Sequence, residues 1–186
     1  MHVKTEKIRP SKIIAFYTIL TLITCFMYKC TMRQPIFTED TISSLILHAI
    51  IGLFIALPII FINYFLLTKT RLFEALIQSI KENIQIMDRF EMSTVALFSG
   101  IGEEILFRGI VQHFTGLIVA SLLFGLLHIG PNKKFLPWTF FALIMGFFLG
   151  LMRLYFGSLV VPIFIHATVN YASFRFLFSM DDKALS

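Results

Sequence analysis

Charged residues are scarce in this chain of 186 residues: only 15% are Asp, Glu, Lys or Arg, against about a quarter in a soluble domain. Hydrophobic residues make up 57%, and the mean hydropathy is +0.82. An ordinary soluble domain is therefore excluded. The only cysteines are Cys25 and Cys30, which excludes a disulfide framework or a cysteine-based metal site. We predict an all-α polytopic membrane protein with one membrane domain over residues 1–186.

The chain has more basic than acidic residues, 16 against 11, a balance that also occurs in nucleic-acid-binding proteins. Here the Lys and Arg residues lie mainly at the ends of apolar runs, so we predict the lipid bilayer as the partner and no nucleic acid. With the N-terminus in the cytoplasm, only Lys29, Arg33 and Arg153 lie outside and Arg108 lies within the membrane. The remaining basic residues are then inside, which predicts that both termini are cytoplasmic.

Six apolar segments approach the length of about 20 residues that a helix needs to cross a bilayer. A turn at Thr115 and Gly116 separates the third from the fourth, which ends near Gly130. The other five predicted spans are Ile13–Cys30, Ile42–Thr68, Met92–Gln112, Phe135–Met152 and Leu159–Phe178.

Residues 69–90 have a different pattern, in which apolar residues recur at helical spacing with charged residues between them. The apolar positions are Phe73, Leu76, Ile77, Ile80, Ile84 and Met87. This pattern predicts an amphipathic helix at the membrane surface. An ordinary solvated connector is the alternative.

Three ionisable residues lie inside the third predicted span, where each costs several kcal/mol. Glu104 and Arg108 are four residues apart, so they share a helix face and can pair. Glu103 is left without a local partner, which suits a general base. Gly100 and Gly102 precede it and allow another helix or a substrate backbone to approach closely. The alternative is a structural ion-pair cluster that holds helices together.

Two later spans carry further polar residues. His128 follows Phe124 by one helical turn near the end of the fourth span, and His166 precedes Asn170 by one turn in the sixth. Either set could simply form hydrogen bonds between helices. Together with Glu103 they could activate a water and stabilise an oxyanion. Two histidines and one glutamate are also a known catalytic zinc ligand set, although the His-Glu-x-x-His motif is missing.

The pattern Glu-Glu-x-x-x-Arg, Phe-x-x-x-His and His-x-x-x-Asn on successive helices resembles the CPBP family of intramembrane proteases. That family includes the type II CAAX prenyl endopeptidases and bacterial relatives. The likeness begins near Met92 and reaches the sixth span, so we take residues 92–178 as the catalytic core. Its motif residues are Glu103, Glu104, Arg108, Phe124, His128, His166 and Asn170.

The resemblance implies an enzyme that hydrolyses a peptide bond of a membrane-associated protein or peptide. Glu103 and His128 would activate water, and His166 and Asn170 would stabilise the oxyanion. The supporting residues would be Glu104, Arg108 and Phe124. The family is described both as metalloproteases and as glutamate-dependent enzymes. Zinc or another divalent metal therefore stays open, with Glu103, His128 and His166 as its ligands.

The resemblance also implies a multi-pass protein of the bacterial cytoplasmic membrane. The sequence does not determine the substrate, the need for prenylated tails or the oligomeric state. One alternative is a non-catalytic membrane scaffold or bacteriocin-immunity protein of the same fold. Another is a proton-coupled transporter in which Glu103 and the histidines relay protons, although the chain lacks paired, inverted-repeat halves.

Overall fold

The computed structural model describes residues 7–32, 35–37 and 41–179; Arg33 and the chain ends, including Lys4 and Lys183, lie outside this description. In the described residues all regular elements are helices, which confirms the all-α prediction. They are α1 (Pro10–Met32), α2 (Ile42–Lys69), α3 (Arg71–Asn83), α4 (Arg89–Glu104), a π-helical turn (Ile105–Val111), α5 (Gln112–Leu127), a 3₁₀ turn (Lys133–Phe135), α6 (Leu136–Phe156) and α7 (Val160–Ser179).

Local capping residues determine where α2 and α4 begin. Thr41 accepts a hydrogen bond from the Ser44 backbone, and the Ser44 hydroxyl bonds back to the Thr41 backbone. Asp88 and Glu91 form the same reciprocal arrangement at the start of α4. Each pair satisfies two backbone donors that the first helical turn leaves free. For this reason α4 begins at Arg89, before the predicted Met92.

The amphipathic helix is shorter than the predicted range 69–90. It ends at Asn83, because the next residues pair with the N-terminal segment instead of continuing the helix. The Ile8 amide donates to the Asn83 carbonyl at 2.7 Å, and the Gln85 amide donates to the Ile8 carbonyl at 3.0 Å. Met87 is nevertheless buried with the apolar face of α3 in one hydrophobic cluster. The apolar spacing therefore continues past the end of the helix.

Within the described part of the chain, five helical segments are long and apolar enough to cross a membrane, against the six predicted spans. The longest, Arg89–Leu127, contains a reversal at Gly116, whose φ of 80° and ψ of 172° are not helical. Before it, Arg108 and Gln112 donate to the carbonyls of Gly146 and Gly150 in turn; after it, Leu117 lies against Gly150 and Gly125 against Leu143. The chain thus reverses direction against α6. The helical part of the returning arm has eleven residues and is about 17 Å long, so this helix alone is shorter than the hydrocarbon core.

The buried face of α4 lies between α1 and α7, and two glycines allow the close approach that the sequence predicted for them. A Cβ atom at Gly102 would lie 2.7 Å from the Thr21 hydroxyl oxygen of α1. A Cβ atom at Gly100 would lie 3.0 Å from the Cβ of Ala167 in α7. Since any larger residue would push a neighbour away, these glycines fix the distance between the helices that carry the polar residues.

Candidate active site

Glu103 and Glu104 are the last two buried residues of α4, directly before the π-helical turn. Glu104 is completely buried and Glu103 is 7% exposed. π-Helical turns are rare and are often found at functional sites. Because adjacent residues point about 100° apart on a helix, the two carboxylates have different neighbours.

Glu104 holds two cationic or hydrogen-bonding side chains in place. Its Oε1 lies 3.1 Å from Arg108 Nη1 and 2.7 Å from His166 Nδ1. Arg108 also donates from Nη2 to the Gly146 carbonyl at 3.1 Å, and its guanidinium carbon lies 4.4 Å from the centroid of the Phe124 ring. The predicted contact of Glu104 with Arg108 is therefore present. The contact with His166 is an addition that the sequence spacing did not indicate.

Glu103 faces both histidines. Its Oε2 lies 3.7 Å from His128 Nε2 and 3.8 Å from His166 Nε2, which is too long for direct hydrogen bonds. This oxygen is buried and has no hydrogen-bond partner among the described residues. The Tyr17 side chain of α1 forms a hydrogen bond with the Glu103 carboxylate. Glu103 thus lacks a partner on its own helix, as the spacing indicated, but has three neighbours from other helices.

His128 is positioned by the end of α5. Its Nδ1 lies 2.7 Å from the Phe124 carbonyl, which can only accept, so Nδ1 carries the proton of that bond. The His128 carbonyl accepts from the Thr139 hydroxyl of α6 at 2.9 Å. The centroids of the Phe124 and His128 rings lie 4.4 Å apart. By the same reasoning the Glu104 carboxylate fixes the proton on Nδ1 of His166, so that both histidines turn Nε2 towards Glu103.

Asn170 lies one helical turn beyond His166 on α7. Its Nδ2 donates to the Ser99 hydroxyl of α4 at 3.0 Å, and Ser99 in turn donates to the Ala96 carbonyl at 3.1 Å. The amide group has two N–H donors, so one remains for another acceptor. Ser99 was not among the residues singled out in the sequence, because a serine in an apolar helix has no distinguishing local pattern.

A cavity of about 160 Å³ connects these side chains and has room for several water molecules. Its polar wall contains Tyr17, Glu103, His128, His166 and Asn170. The rest of the wall is mostly apolar and includes the buried face of α3. Its apolar residues include Phe73, Leu76, Ile77, Ile80, Phe141, Met145 and Leu177.

The metal alternative requires at least three side chains arranged as ligands. In the part of the chain that the structure describes, no group of three or more His, Cys, Asp or Glu residues has an arrangement that could hold a metal ion. The zinc set of Glu103, His128 and His166 is therefore not supported, and neither is the term metalloprotease. What the geometry does offer is a carboxylate and two imidazole nitrogens around a space that water can enter.

Residues 86–172 match the family described as Type II CAAX prenyl endopeptidase Rce1-like. This segment is slightly under half of the chain and contains all three predicted motifs. The chain is Rce1-like over this segment. The family is one of endopeptidases, so the Rce1-like match supports protease activity in general, and the apolar helices make the chain an integral membrane protein.

One curated relative of the chain is "Uncharacterized protein YpbD" of Bacillus subtilis (strain 168). The two are 37% identical over 78 residues, which is 41% of this chain and 40% of the relative. The match thus spans well under half of the relative's length. No solved structure gives a significant match.

Proposed function

We propose that the chain is an intramembrane endopeptidase that hydrolyses a peptide bond of a membrane-associated protein or peptide. One observation carries the proposal: the buried, unpartnered Oε2 of Glu103 faces Nε2 of both His128 and His166 at the edge of a cavity. Glu104 Oε2 is also buried without a partner among the described residues, but Glu104 does not line the cavity, and its Oε1 lies within ion-pair or hydrogen-bond distance of Arg108 and His166. Glu103 is the carboxylate that lines the cavity, and an unpartnered buried charge there is costly unless the site uses it. The Rce1-like match supports the same class of reaction.

Glu103 is the proposed base and His128 its partner. Water in the cavity donates one hydrogen to Glu103 Oε2 and the other to His128 Nε2, whose lone pair is free because its proton is on Nδ1. The water oxygen attacks the carbonyl carbon of the substrate while its proton passes to Glu103. Tyr17 keeps the carboxylate oriented towards the cavity by its hydrogen bond.

His166 and Asn170 are the proposed donors to the oxyanion. In this role His166 is an imidazolium that donates from Nε2, and Glu104 balances its charge through Nδ1. The second N–H of the Asn170 amide is the other donor, since Ser99 occupies the first. Donors fixed in a water-poor site stabilise a developing negative charge without having to reorganise.

The reaction is completed when the carbon–nitrogen bond breaks. The proton held by Glu103 passes to the departing amine, and the site returns to its starting state with a carboxylate and an amine as products. Arg108 and Phe124 act on this sequence only through Glu104 and His128, which they hold in place. The overall balance is one water consumed for one peptide bond broken.

The proposed setting is a bacterial cytoplasmic membrane with both termini in the cytoplasm, as the distribution of basic residues predicts. In this orientation the ends of α2 and α7 and the amphipathic α3 lie on the cytoplasmic side. The cavity reaches α3, so a substrate would approach the site from that side.

The test is a mass-spectrometric comparison of membrane peptides from cells producing the wild-type chain and cells producing Glu103→Gln. We expect a set of cleavage products in the wild-type sample that Glu103→Gln lacks. The matched control is Glu74→Gln, the same change at an exposed position of α3, which should give the wild-type products. A reporter peptide spanning the cleaved bond then allows kinetic measurements.

Identical peptide sets from wild type and Glu103→Gln would contradict the proposal. If Glu103→Gln also kept the protein's biological effect, such as protection of a host, the non-catalytic scaffold would be the better account. His128→Ala and His166→Ala should each remove the same products as Glu103→Gln.

A further inference from the structure

Asn63 is a buried polar residue in the apolar helix α2. This helix has no charged residue before Lys69 and turns large apolar residues outward, among them Phe54 and Phe61. Asn63 is one of three residues of α2 classed as buried, with 8% of its surface exposed. A buried amide in an apolar helix is costly unless its donors and acceptors find partners.

The hydrogen bonds of Asn63 are incomplete. Its Nδ2 donates to the Ser173 hydroxyl of α7 at 2.8 Å, and Ser173 passes its own proton to the Val169 carbonyl at 2.7 Å. This chain of bonds fixes the direction of the amide. An asparagine has two donor hydrogens and a carbonyl acceptor. Among the described residues, the carbonyl of Asn63 has no partner, and the side chain lines the cavity that contains Glu103.

Helix α7 gives the distance from Asn63 to the reacting groups. His166 contacts the two carboxylates, and Ser173 contacts Asn63. These positions are seven residues apart, which is about 10 Å along a helix. An extended peptide rises about 3.3 Å per residue, so the same distance corresponds to about three residues of substrate.

We infer that Asn63 is a substrate-binding residue that accepts a backbone N–H about three residues from the cleaved bond. The substrate it selects is a peptide segment in extended conformation, because an extended chain leaves its N–H groups free for such a bond, whereas N–H groups inside a helix are bonded to the helix's own carbonyls. The inference rests on the proposed hydrolase function. It adds a contact from α2, which lies outside the Rce1-like segment 86–172.

The test uses the reporter peptide and a series of its analogues, each N-methylated at one backbone position on either side of the cleaved bond. N-methylation removes one N–H donor at a time. In the wild-type protein we expect a drop in kcat/KM at the position about three residues from the bond. The loss of one hydrogen bond predicts roughly a three- to tenfold drop, mainly through KM.

Asn63→Leu should lower kcat/KM for the unmodified peptide by the same factor and leave kcat nearly unchanged. For this variant, N-methylation at the sensitive position should cause no further loss, since the bond is already missing. Asn63→Asp, which keeps an acceptor oxygen, should remain sensitive. The control is Tyr64→Phe, a removal of one polar group from a position of α2 that is 53% exposed, which should behave as wild type.

Additive losses, in which Asn63→Leu and N-methylation each lower kcat/KM independently at every position, would overturn the inference and leave Asn63 as a link between α2 and α7. If Asn63→Leu does not fold, Asn63→Ala gives the same comparison without added bulk. A wild-type protein that cleaves no peptide would overturn the hydrolase proposal itself, and this inference with it. The two failures are thus distinguishable.

Discussion

Glu103 and Glu104 are neighbours in the sequence, but their carboxylates have different surroundings in the structure. Glu104 is completely buried between Arg108 and His166, and both of its contacts are within hydrogen-bonding or ion-pair distance. The Oε2 atoms of both carboxylates are buried without a hydrogen-bond partner among the described residues, but of the two residues only Glu103 lines the cavity. We therefore expect Glu104 to matter for stability and Glu103 for chemistry.

This difference predicts opposite results for the two Glu→Gln substitutions. Glu104→Gln removes the ion-pair partner of the buried Arg108 and should lower the free energy of unfolding by about 3–5 kcal/mol. Glu103→Gln keeps the shape of the side chain and should change stability by less than about 1 kcal/mol. Thermal unfolding of both variants in one detergent measures this. Equal destabilisation by the two substitutions would contradict the assignment.

Tyr17 provides a second prediction at this scale. Tyr17→Phe removes the hydrogen bond to Glu103 while keeping the ring. Hydrogen bonds to charged groups contribute about 1.5–3 kcal/mol, so kcat for the reporter peptide should fall roughly ten- to hundredfold with little change in KM. Tyr28→Phe is the control, because Tyr28 is buried in the same helix but does not line the cavity. A rise in KM with kcat unchanged would argue against the positioning role.

The sequence was sufficient to find the residues that carry a local pattern, but not those whose role comes from packing. Glu103, His128, His166 and Asn170 were recognisable from spacing and from their cost in a membrane, and their roles in the reaction remain proposals. Tyr17, Asn63 and Ser99 have no such spacing. They reach the cavity or its polar side chains only because α2 and α4 pack against α7 and α1 packs against α4, which a single sequence does not reveal.

At the scale of elements, Gly100 and Gly102 allow α4 to pack closely against α7 and α1. Gly102 faces Thr21 of α1, and Tyr17 lies one turn earlier on the same helix. Any displacement of α1 therefore moves Tyr17 relative to Glu103. The sequence predicted close approach at Gly100 and Gly102, but it could not say which helices approach.

Gly102→Val tests this packing. Its added atoms collide with Thr21, including the backbone at 3.3 Å from the new Cβ, so α1 must move. Overpacking of this kind costs about 1–3 kcal/mol. We expect a lower midpoint of thermal unfolding together with a loss of kcat. Leu97→Val, at a position of α4 that is 49% exposed, is the control. A fully active Gly102→Val protein would show that the α1–α4 distance does not control the site.

Two of the differences between predicted and observed elements, the end of the amphipathic helix and the length of the arm after Gly116, have local causes. The amphipathic pattern over 69–90 continues across a helix end at Asn83, because the extended residues after it, paired with Ile8, still bury Met87. The turn at Gly116 was predicted correctly, but the arm after it is shorter than a full span. Periodicity reports which side chains are buried and is less informative about where a helix stops.

At the scale of the whole molecule, the helices form one enclosure in which every main helix contributes to the cavity wall. The Rce1-like match begins at residue 86, so α1, α2 and α3 lie outside it. These helices supply Tyr17, Asn63 and the apolar face of α3. The assembled site thus extends beyond the part of the chain that carries the family motifs.

The reversal at Gly116 and the proposed orientation place His113 on the outer side of the membrane and Lys133 on the inner side. In a background of Cys25→Ser and Cys30→Ser, His113→Cys should react with a membrane-impermeant thiol reagent from outside intact cells. Lys133→Cys should react only after the inner face is opened. Both positions are exposed. Labelling of both cysteines from the same side would contradict either the reversal or the orientation.

The central claim is that Glu103 directs a water molecule to a peptide bond, and isotope transfer tests it most directly. Purified protein in lipid nanodiscs is incubated with the reporter peptide in water enriched in oxygen-18, and the products are weighed by mass spectrometry. The account predicts one heavy oxygen in the new carboxylate with wild type and Glu74→Gln, and no product with Glu103→Gln. Heavy-oxygen product formed by Glu103→Gln at the wild-type rate would contradict it.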